Sequence, residues 1–177
     1  MANWTSEPQR DPESQPYRIT RCPATKELRC IIVSEQLIGT ELHYWKGRST
    51  PCTNQACTAC MAGQKSRWKG YFQALNESTN VVQIVEVTDR VYDAFAAQVR
   101  KHGSLRGHGC RLSRTNGKVN GPLHVEFDGP KRSPGELPDP APLTEILERM
   151  WELKQRGLPG MEDQGESHGR PDLRTVG

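Results

Sequence analysis

Four residues with soft, metal-binding side chains lie close together in the first half of the chain. His43 is followed by Cys52, Cys57 and Cys60, so one imidazole and three thiols fall within a single short stretch. Thiolate and neutral imidazole are the ligands that Zn²⁺ prefers, and structural zinc sites are closed by four such groups in a tetrahedron. Pro51 restricts the backbone just before Cys52, and the last two thiols form a C-x-x-C pair. The sequence therefore predicts one structural Zn²⁺.

Two other chemistries use similar residues. A redox C-x-x-C pair normally precedes a helix in a thioredoxin-like βαβ unit, and no such pattern surrounds Cys57 and Cys60. Nucleobase deaminases combine H-x-E with P-C-x-x-C, whereas His43 is followed by Tyr44 and Trp45 and the catalytic Glu is missing. The chain also has no G-x-S-x-G and no P-loop motif. We therefore expect no enzymatic activity.

The segment 43–72 around the candidate ligands is basic and aromatic, with five Lys or Arg residues and no Asp or Glu. Proteins that bind single-stranded nucleic acid combine a positive groove with aromatic rings on which bases stack. The candidate stacking residues are Trp45, Trp68, Tyr71 and Phe72, and the candidate phosphate contacts are Lys46, Arg48, Lys65, Arg67 and Lys69. Arg106, Arg111, Arg114 and Lys118 form a second basic group around a later hairpin, and Arg111 and Arg114 are candidate contacts from it. The alternative is that these are ordinary solvated charges, or charges that protect strand edges.

Alternation along a strand places Tyr71 and Phe72 on opposite faces of a sheet. We expect Tyr71 to be exposed, because its hydroxyl can stay in contact with water, and Phe72 to lie in the core.

Composition allows one small domain with polar ends. The chain has 177 residues, 34% of them hydrophobic, and a net charge of only +3. No apolar run approaches the roughly 20 residues that span a bilayer, and the N-terminus lacks the apolar core of a signal peptide. We therefore expect a cytoplasmic protein without a membrane partner, in which thiols stay reduced. Cys22, Cys30 and Cys110 are predicted to be buried, as free Cys usually is.

The predicted elements run from short strands through the metal module to a helix and a late hairpin. A β-branched strand at 81–87 leads into a helix at 89–102, with Thr88 as its N-cap and Gly103 at its end. Asn-Gly pairs at 116–117 and 120–121 predict turns. The domain prediction is a disordered tail at 1–16, an OB-like domain at 17–127 with a zinc module at 43–60, a linker at 128–141, an amphipathic helix at 142–157 and a disordered tail at 158–177.

The order of these elements is close to that of an OB-fold, a five-stranded β-barrel with a helix between its third and fourth strands. The predicted fold class is thus mainly β, an OB-like barrel with an inserted zinc knuckle, one internal helix and a C-terminal helix. With His43, Cys52, Cys57 and Cys60 followed by the run 67–72, the chain resembles the zinc-containing single-stranded DNA-binding proteins of T-even bacteriophages. One departure is the tail 158–177, which is not the strongly acidic tail of those proteins.

The resemblance implies binding of single-stranded DNA, in preference to RNA, in replication, recombination or repair. Stacking and phosphate contacts by themselves would serve DNA and RNA alike. The alternative is a zinc-stabilised adaptor subunit in a larger nucleic-acid-processing assembly, with the zinc knuckle and the helix 142–156 as contacts for protein partners.

Overall fold

A computed structural model describes residues 18–53 and 57–155, with side chains up to residue 151. The predicted disordered tails, 1–16 and 158–177, lie outside the described residues. The elements in chain order are β1 (Ile19–Arg21), β2 (Leu28–Ile32), β3 (Ile38–Trp45), β4 (Arg48–Pro51), α1 (Thr58–Met61), β5 (Arg67–Asn76), β6 (Val82–Thr88), α2 (Tyr92–His102), β7 (His108–Arg114), β8 (Leu123–Pro130) and α3 (Leu143–Gln155).

The long strand β5 is the centre of the sheet. One of its edges pairs with β6 along almost its whole length, and β6 in turn pairs with β1 in parallel. Its other edge is divided, because β3 pairs with residues 67–71 and β2 pairs with residues 74–76. The sheet continues from β2 to β7 and β8, while β4 pairs with β3. Every pairing except that of β1 with β6 is antiparallel.

The two faces of this sheet are covered by different helices. On one face, which we call the α2 face, Phe72 of β5 and Phe127 of β8 both contact Phe95 of α2, with ring centroids 5.1 and 5.0 Å away. The sheet therefore curves around α2. On the opposite face, the α3 face, Tyr71 packs against Trp151 of α3 in an edge-to-face contact at 5.9 Å. This second core also contains Leu42, Ile84, Leu143 and Leu147.

The mainly β architecture is confirmed, but the barrel is not formed. Within residues 18–53 and 57–155 the paired strands make an open sheet whose order ends at β1 and β8. In this order of the described strands, no pairing between β1 and β8 closes the sheet. The order of elements along the chain predicted most of the strands and the position of the internal helix, and it carried no information on closure.

The internal helix begins later than the sequence predicted. Residues 89–91 form a 3₁₀ turn and α2 begins at Tyr92, while Thr88 is extended and its side chain caps neither segment. The predicted end is confirmed, since Gly103 adopts a left-handed φ of +79° and its N–H donates to the carbonyl of Val99 at 2.8 Å. No helix in the described part of the chain is long and apolar enough to cross a membrane.

The segment 128–141, predicted as a linker, is held to the sheet by the side chain of Arg106. The buried guanidinium donates hydrogen bonds to the carbonyls of Val33, Pro134, Leu137 and Pro138 at 2.8 to 3.1 Å. Residues 128–130 continue β8, whereas the prolines that follow lack the N–H that would let the rest of this stretch join a ladder. An external donor therefore satisfies its carbonyls and fixes the point from which α3 begins.

Candidate metal centre and adjoining cleft

The four predicted metal ligands come from three elements that meet at one end of the sheet. His43 lies on β3 opposite Thr50 of β4, because Lys46 and Gly47 both take positive φ and form a two-residue hairpin turn between the strands. Cys52 follows β4 and is held by its N–H, which donates to the carbonyl of Glu41 at 2.8 Å. Of the remaining pair, Cys57 directly precedes the short helix α1 and Cys60 lies within it.

The ligand atoms of these residues all lie within 4.8 Å of one another. Cys60 Sγ lies 3.5 Å from Cys52 Sγ and 3.2 Å from His43 Nε2. A tetrahedral ion with metal–sulfur bonds of about 2.3 Å separates two sulfurs by about 3.8 Å, so the cluster has the size of a four-coordinate centre. The residues present could therefore hold a metal ion through three sulfurs and Nε2.

The local electrostatics of the thiols favour a bound cation. The backbone N–H of Cys60 hydrogen-bonds to the sulfur of Cys57 and lowers the pKa of Cys57 to about 6. The hydrogen bond with Cys52 raises the pKa of Cys60 to about 11, because neighbouring sulfurs resist sharing further negative charge. Three thiolates at these distances need a cation between them, and a metal ion supplies it.

A cleft of about 1240 Å³ opens beside this centre, at the end of the sheet where β5 begins and β6 ends. Six Lys or Arg residues and three acids line it, so its balance of charge equals the +3 of the whole chain. The basic residues are Arg21, Lys65, Arg67, Lys69, Arg90 and Arg114, and the acids are Glu41, Glu86 and Asp89. His43 also lines the cleft, so the metal centre forms part of its wall.

Strand register shows that many of these side chains share one face of the sheet. Alternate side chains along a strand point to the same side of the sheet. On the side that carries the α3 core, the strands also present Tyr44 of β3, Arg67 and Lys69 of β5, Glu86 of β6 and Arg21 of β1. We call this surface the basic face and define it by these five residues. All five line the cleft. Tyr44 is 72% exposed, so its ring is accessible to a ligand.

Trp68 lines the cleft from the opposite side of β5, so the cleft takes side chains from both faces of the sheet. Its indole ring occupies the space above two glycines that pair across β3 and β5, Gly39 and Gly70. Its edge meets the ring of Tyr92 at 5.5 Å. Gly39 is part of a regular ladder between β3 and β5. Trp68 is half-buried, so only part of its surface is open to a base.

The prediction that Tyr71 is exposed is wrong, and neither Tyr71 nor Phe72 can stack on a ligand in this structure. Tyr71 is 1% exposed and Phe72 is completely buried, because helices cover both faces of β5 at this point. Burial and the neighbouring carboxylate of Glu86 raise the pKa of Tyr71 above its usual range. The apolar stripe of the helix 142–156 predicts that this helix packs on the domain or on a partner, but no local pattern indicates that it covers this face of β5.

Other predicted contacts lie outside the cleft. Trp45, Lys46 and Arg48 surround the β3–β4 turn and do not line the cleft, although they lie next to His43 in the hairpin. Arg111 is paired with Glu126 and Asp128 at 2.7 and 2.9 Å and is engaged within the protein.

Arg114 does line the cleft, but it also ties the structure together. Its guanidinium donates to the carbonyls of Cys22 and Gly121, each at 2.9 Å. Lys69 is partly engaged as well, since its Nζ lies 3.2 Å from Oε1 of the buried Glu86. Lys65 and Arg67 are exposed and make no ion pair within residues 18–53 and 57–151.

Sequence reasoning missed Tyr44, Arg21 and Arg90 as members of this site. Tyr44 alternates with Leu42 on β3, but only the pairing of Leu42 with Arg67 shows that it shares a face with the basic residues. Arg21 reaches the cleft through the parallel pairing of β1 with β6, a contact between residues far apart in the chain. Comparisons with protein-family models, curated proteins and solved structures found no match to this chain.

Proposed function

We propose that this protein binds single-stranded nucleic acid, DNA in preference to RNA, along the basic face, and that a structural Zn²⁺ holds the adjoining module in place. The observation that carries the proposal is the alignment of Tyr44, Arg67, Lys69 and Arg21 on one face of adjacent strands, inside a cleft that the candidate metal ligand His43 also lines. The role is one of binding, with no chemical step.

A single strand is the nucleic acid that this surface suits. It exposes phosphates and base faces together, and an exposed ring beside cations can contact both. Tyr44 offers an accessible ring, while Arg67 and Lys65 offer charges that no carboxylate in the described chain offsets. Four adjacent strands from β3 to β1 span about 14 Å at a strand spacing of about 4.8 Å, enough for a few nucleotides laid across them.

Zinc is the metal that the ligand set favours. Three thiolates and one imidazole in a closed tetrahedron match structural zinc sites, and the absence of an open ligand position agrees with a role in folding. The described residues around α1, 48–53 and 57–66, bury few apolar side chains, chiefly Cys57 and Ala59, so metal binding would supply much of the folding energy of this module. The zinc would stiffen one wall of the cleft without contacting the ligand.

The adaptor alternative keeps one of its two contacts. The described apolar side chains of α3 are packed against Leu42, Tyr71 and Ile84 of the sheet, so this chain itself covers them. A protein partner would bind at the zinc knuckle instead.

The test is a titration of the zinc-loaded protein with a fluorescent oligo-dT of about 12 nucleotides at several salt concentrations. We expect the logarithm of affinity to fall linearly with the logarithm of salt, with a slope of about −0.7 per phosphate contacted. Duplex of the same length should bind more weakly, and an oligo-U arm tests the preference for DNA.

Matched variants locate the surface. Arg67→Gln and Lys65→Gln should each make the slope shallower by about 0.7, because each removes one phosphate contact. Lys26 is exposed and lies outside the cleft, so Lys26→Gln should leave the slope unchanged. Tyr44→Ala should weaken binding by about 1–3 kcal/mol, with little change in slope. If the wild type binds no single strand at low salt, or if the cleft variants behave like Lys26→Gln, the proposed function is wrong.

A further inference from the structure

The end of the basic face nearest β1 contains two cations that meet at one buried carboxylate. Arg21 Nε lies 3.0 Å and Lys69 Nζ 3.2 Å from the same oxygen, Oε1 of Glu86. The second oxygen of Glu86 accepts a hydrogen bond from Arg21 Nη2 at 3.1 Å. The carboxylate is 6% exposed, while the side chains of Arg21 and Lys69 are 63% and 26% exposed. The two cations thus face the cleft and the anion lies beneath them.

Strand register fixes this cluster. Arg21 is opposite Glu86 in the parallel pairing of β1 with β6, and Tyr71, next to Lys69 on the same face of β5, is also opposite Glu86. The three charged groups are therefore on neighbouring strands of one face, where backbone hydrogen bonds hold their positions. Glu86 offsets one of the two positive charges, which leaves a net charge of +1 and N–H donors on both cations that can still turn towards the cleft.

We propose that Arg21 and Lys69 form a phosphodiester-binding subsite at the β1 end of the basic face, and that Glu86 limits the charge this subsite presents to the ligand. The subsite rests on the proposed function and extends it across the sheet from Tyr44 and Arg67. A phosphate that binds here competes with Glu86 for the same two cations, so each bound phosphate is attracted by only part of the charge that the cations carry.

Removal of the Arg21 cation and removal of the Glu86 anion should change the salt dependence of binding in opposite directions. Arg21→Gln removes a phosphate contact and should make the salt slope for oligo-dT shallower by about 0.7. Glu86→Gln keeps a hydrogen-bond acceptor of the same shape under both cations but removes the competing charge. It should therefore make the slope steeper, by about 0.7 for a newly contacted phosphate, and tighten binding severalfold at low salt.

Each variant has a matched control. Arg18 is exposed, lies three residues before Arg21 and does not line the cleft, so Arg18→Gln should leave the slope unchanged. Glu41 lines the same cleft and makes no ion pair within the described chain, so Glu41→Gln removes the same charge without releasing a cation. Its effect on the slope should be clearly smaller than that of Glu86→Gln.

The outcomes separate the subsite from the proposed function. If Arg67→Gln makes the slope shallower while Arg21→Gln behaves like Arg18→Gln, binding at the basic face is supported and the subsite is wrong. If Glu86→Gln is no steeper than Glu41→Gln, the limiting role of Glu86 is wrong. If the wild type fails to bind, both proposals fall. The thermal melting of every variant is measured beside the titrations. If Glu86→Gln does not fold, the titration of Arg21→Gln, at an exposed position, tests the subsite by itself.

Discussion

The contact between Trp68 and two glycines can be tested with one added methyl group. A Cβ at Gly39 would overlap ring atoms of Trp68 and would lie 2.7 Å from the carbonyl oxygen of Lys69. At Gly70, a Cβ would lie 2.5 Å from the indole ring. The ladder between β3 and β5 prevents the backbones from moving apart, so the ring must leave its position in a Gly39→Ala variant. Forcing extra atoms into a packed site typically costs about 1–3 kcal/mol.

A double-mutant cycle can show how much of the destabilisation by Gly39→Ala comes from the overlap with the Trp68 ring. Trp68→Ala by itself should destabilise the protein by about 2 kcal/mol, less than a fully buried Trp, because the indole is half-buried. In that background the main obstacle to the methyl group added by Gly39→Ala is absent, and only the contact with the Lys69 carbonyl is left. The two substitutions should therefore couple by about 1–2 kcal/mol, with the double variant more stable than the sum of the single losses predicts.

The assay is urea unfolding with zinc in fixed excess, so that metal linkage is the same in all four proteins. Gly135→Ala is the matched control, because a Cβ there meets nothing within 4 Å and its φ is not positive. It should be neutral or stabilise by up to about 1 kcal/mol. If the Gly39 and Trp68 substitutions prove additive to within about 0.5 kcal/mol at constant m-value, the ring does not lie where the structure places it.

Three further predictions concern the metal, the buried guanidinium and the C-terminal helix. Cys57→Ser should abolish binding of stoichiometric zinc and lower the melting temperature; reduced protein that purifies without metal would contradict the zinc assignment. Arg106→Met leaves four carbonyls, among them that of Val33, without their donor and should cost at least about 3 kcal/mol in urea unfolding. Trp151→Ala should cost about 2–4 kcal/mol, whereas exposed Glu148→Ala on the same helix should be neutral; equal effects would mean that α3 does not pack on the sheet.

Local patterns in the sequence predicted most single elements. The β-branched run around Val85, the Gly103 helix end and the apolar stripe of 142–156 correspond to β6, α2 and α3. The four residues that could hold a metal ion were also found from residue type and spacing, because a closed site needs no knowledge of distant strands. Cys22, Cys30 and Cys110 are buried as predicted.

Features that depend on pairing between distant strands were not predictable in this way. Whether Tyr71 or Phe72 faces solvent depends on what covers each face, and alternation shows only that the two faces differ. The docking of α3 onto Tyr71 and the parallel pairing of β1 with β6 join residues more than sixty positions apart. Spacing therefore predicted the metal centre, while the composition of the basic face required the register of the sheet.

The attachment of residues 134–138 by Arg106 has a consequence for α3. The helix begins only five residues after Pro138, and its distance from its docking surface is therefore restricted even when its own contacts open. In thermodynamic terms, α3 is a ligand of the sheet present at an effective concentration on the order of millimolar or higher. Contacts too weak to hold a separate peptide would suffice to keep it bound, and the helix would return to the α3 face after each opening.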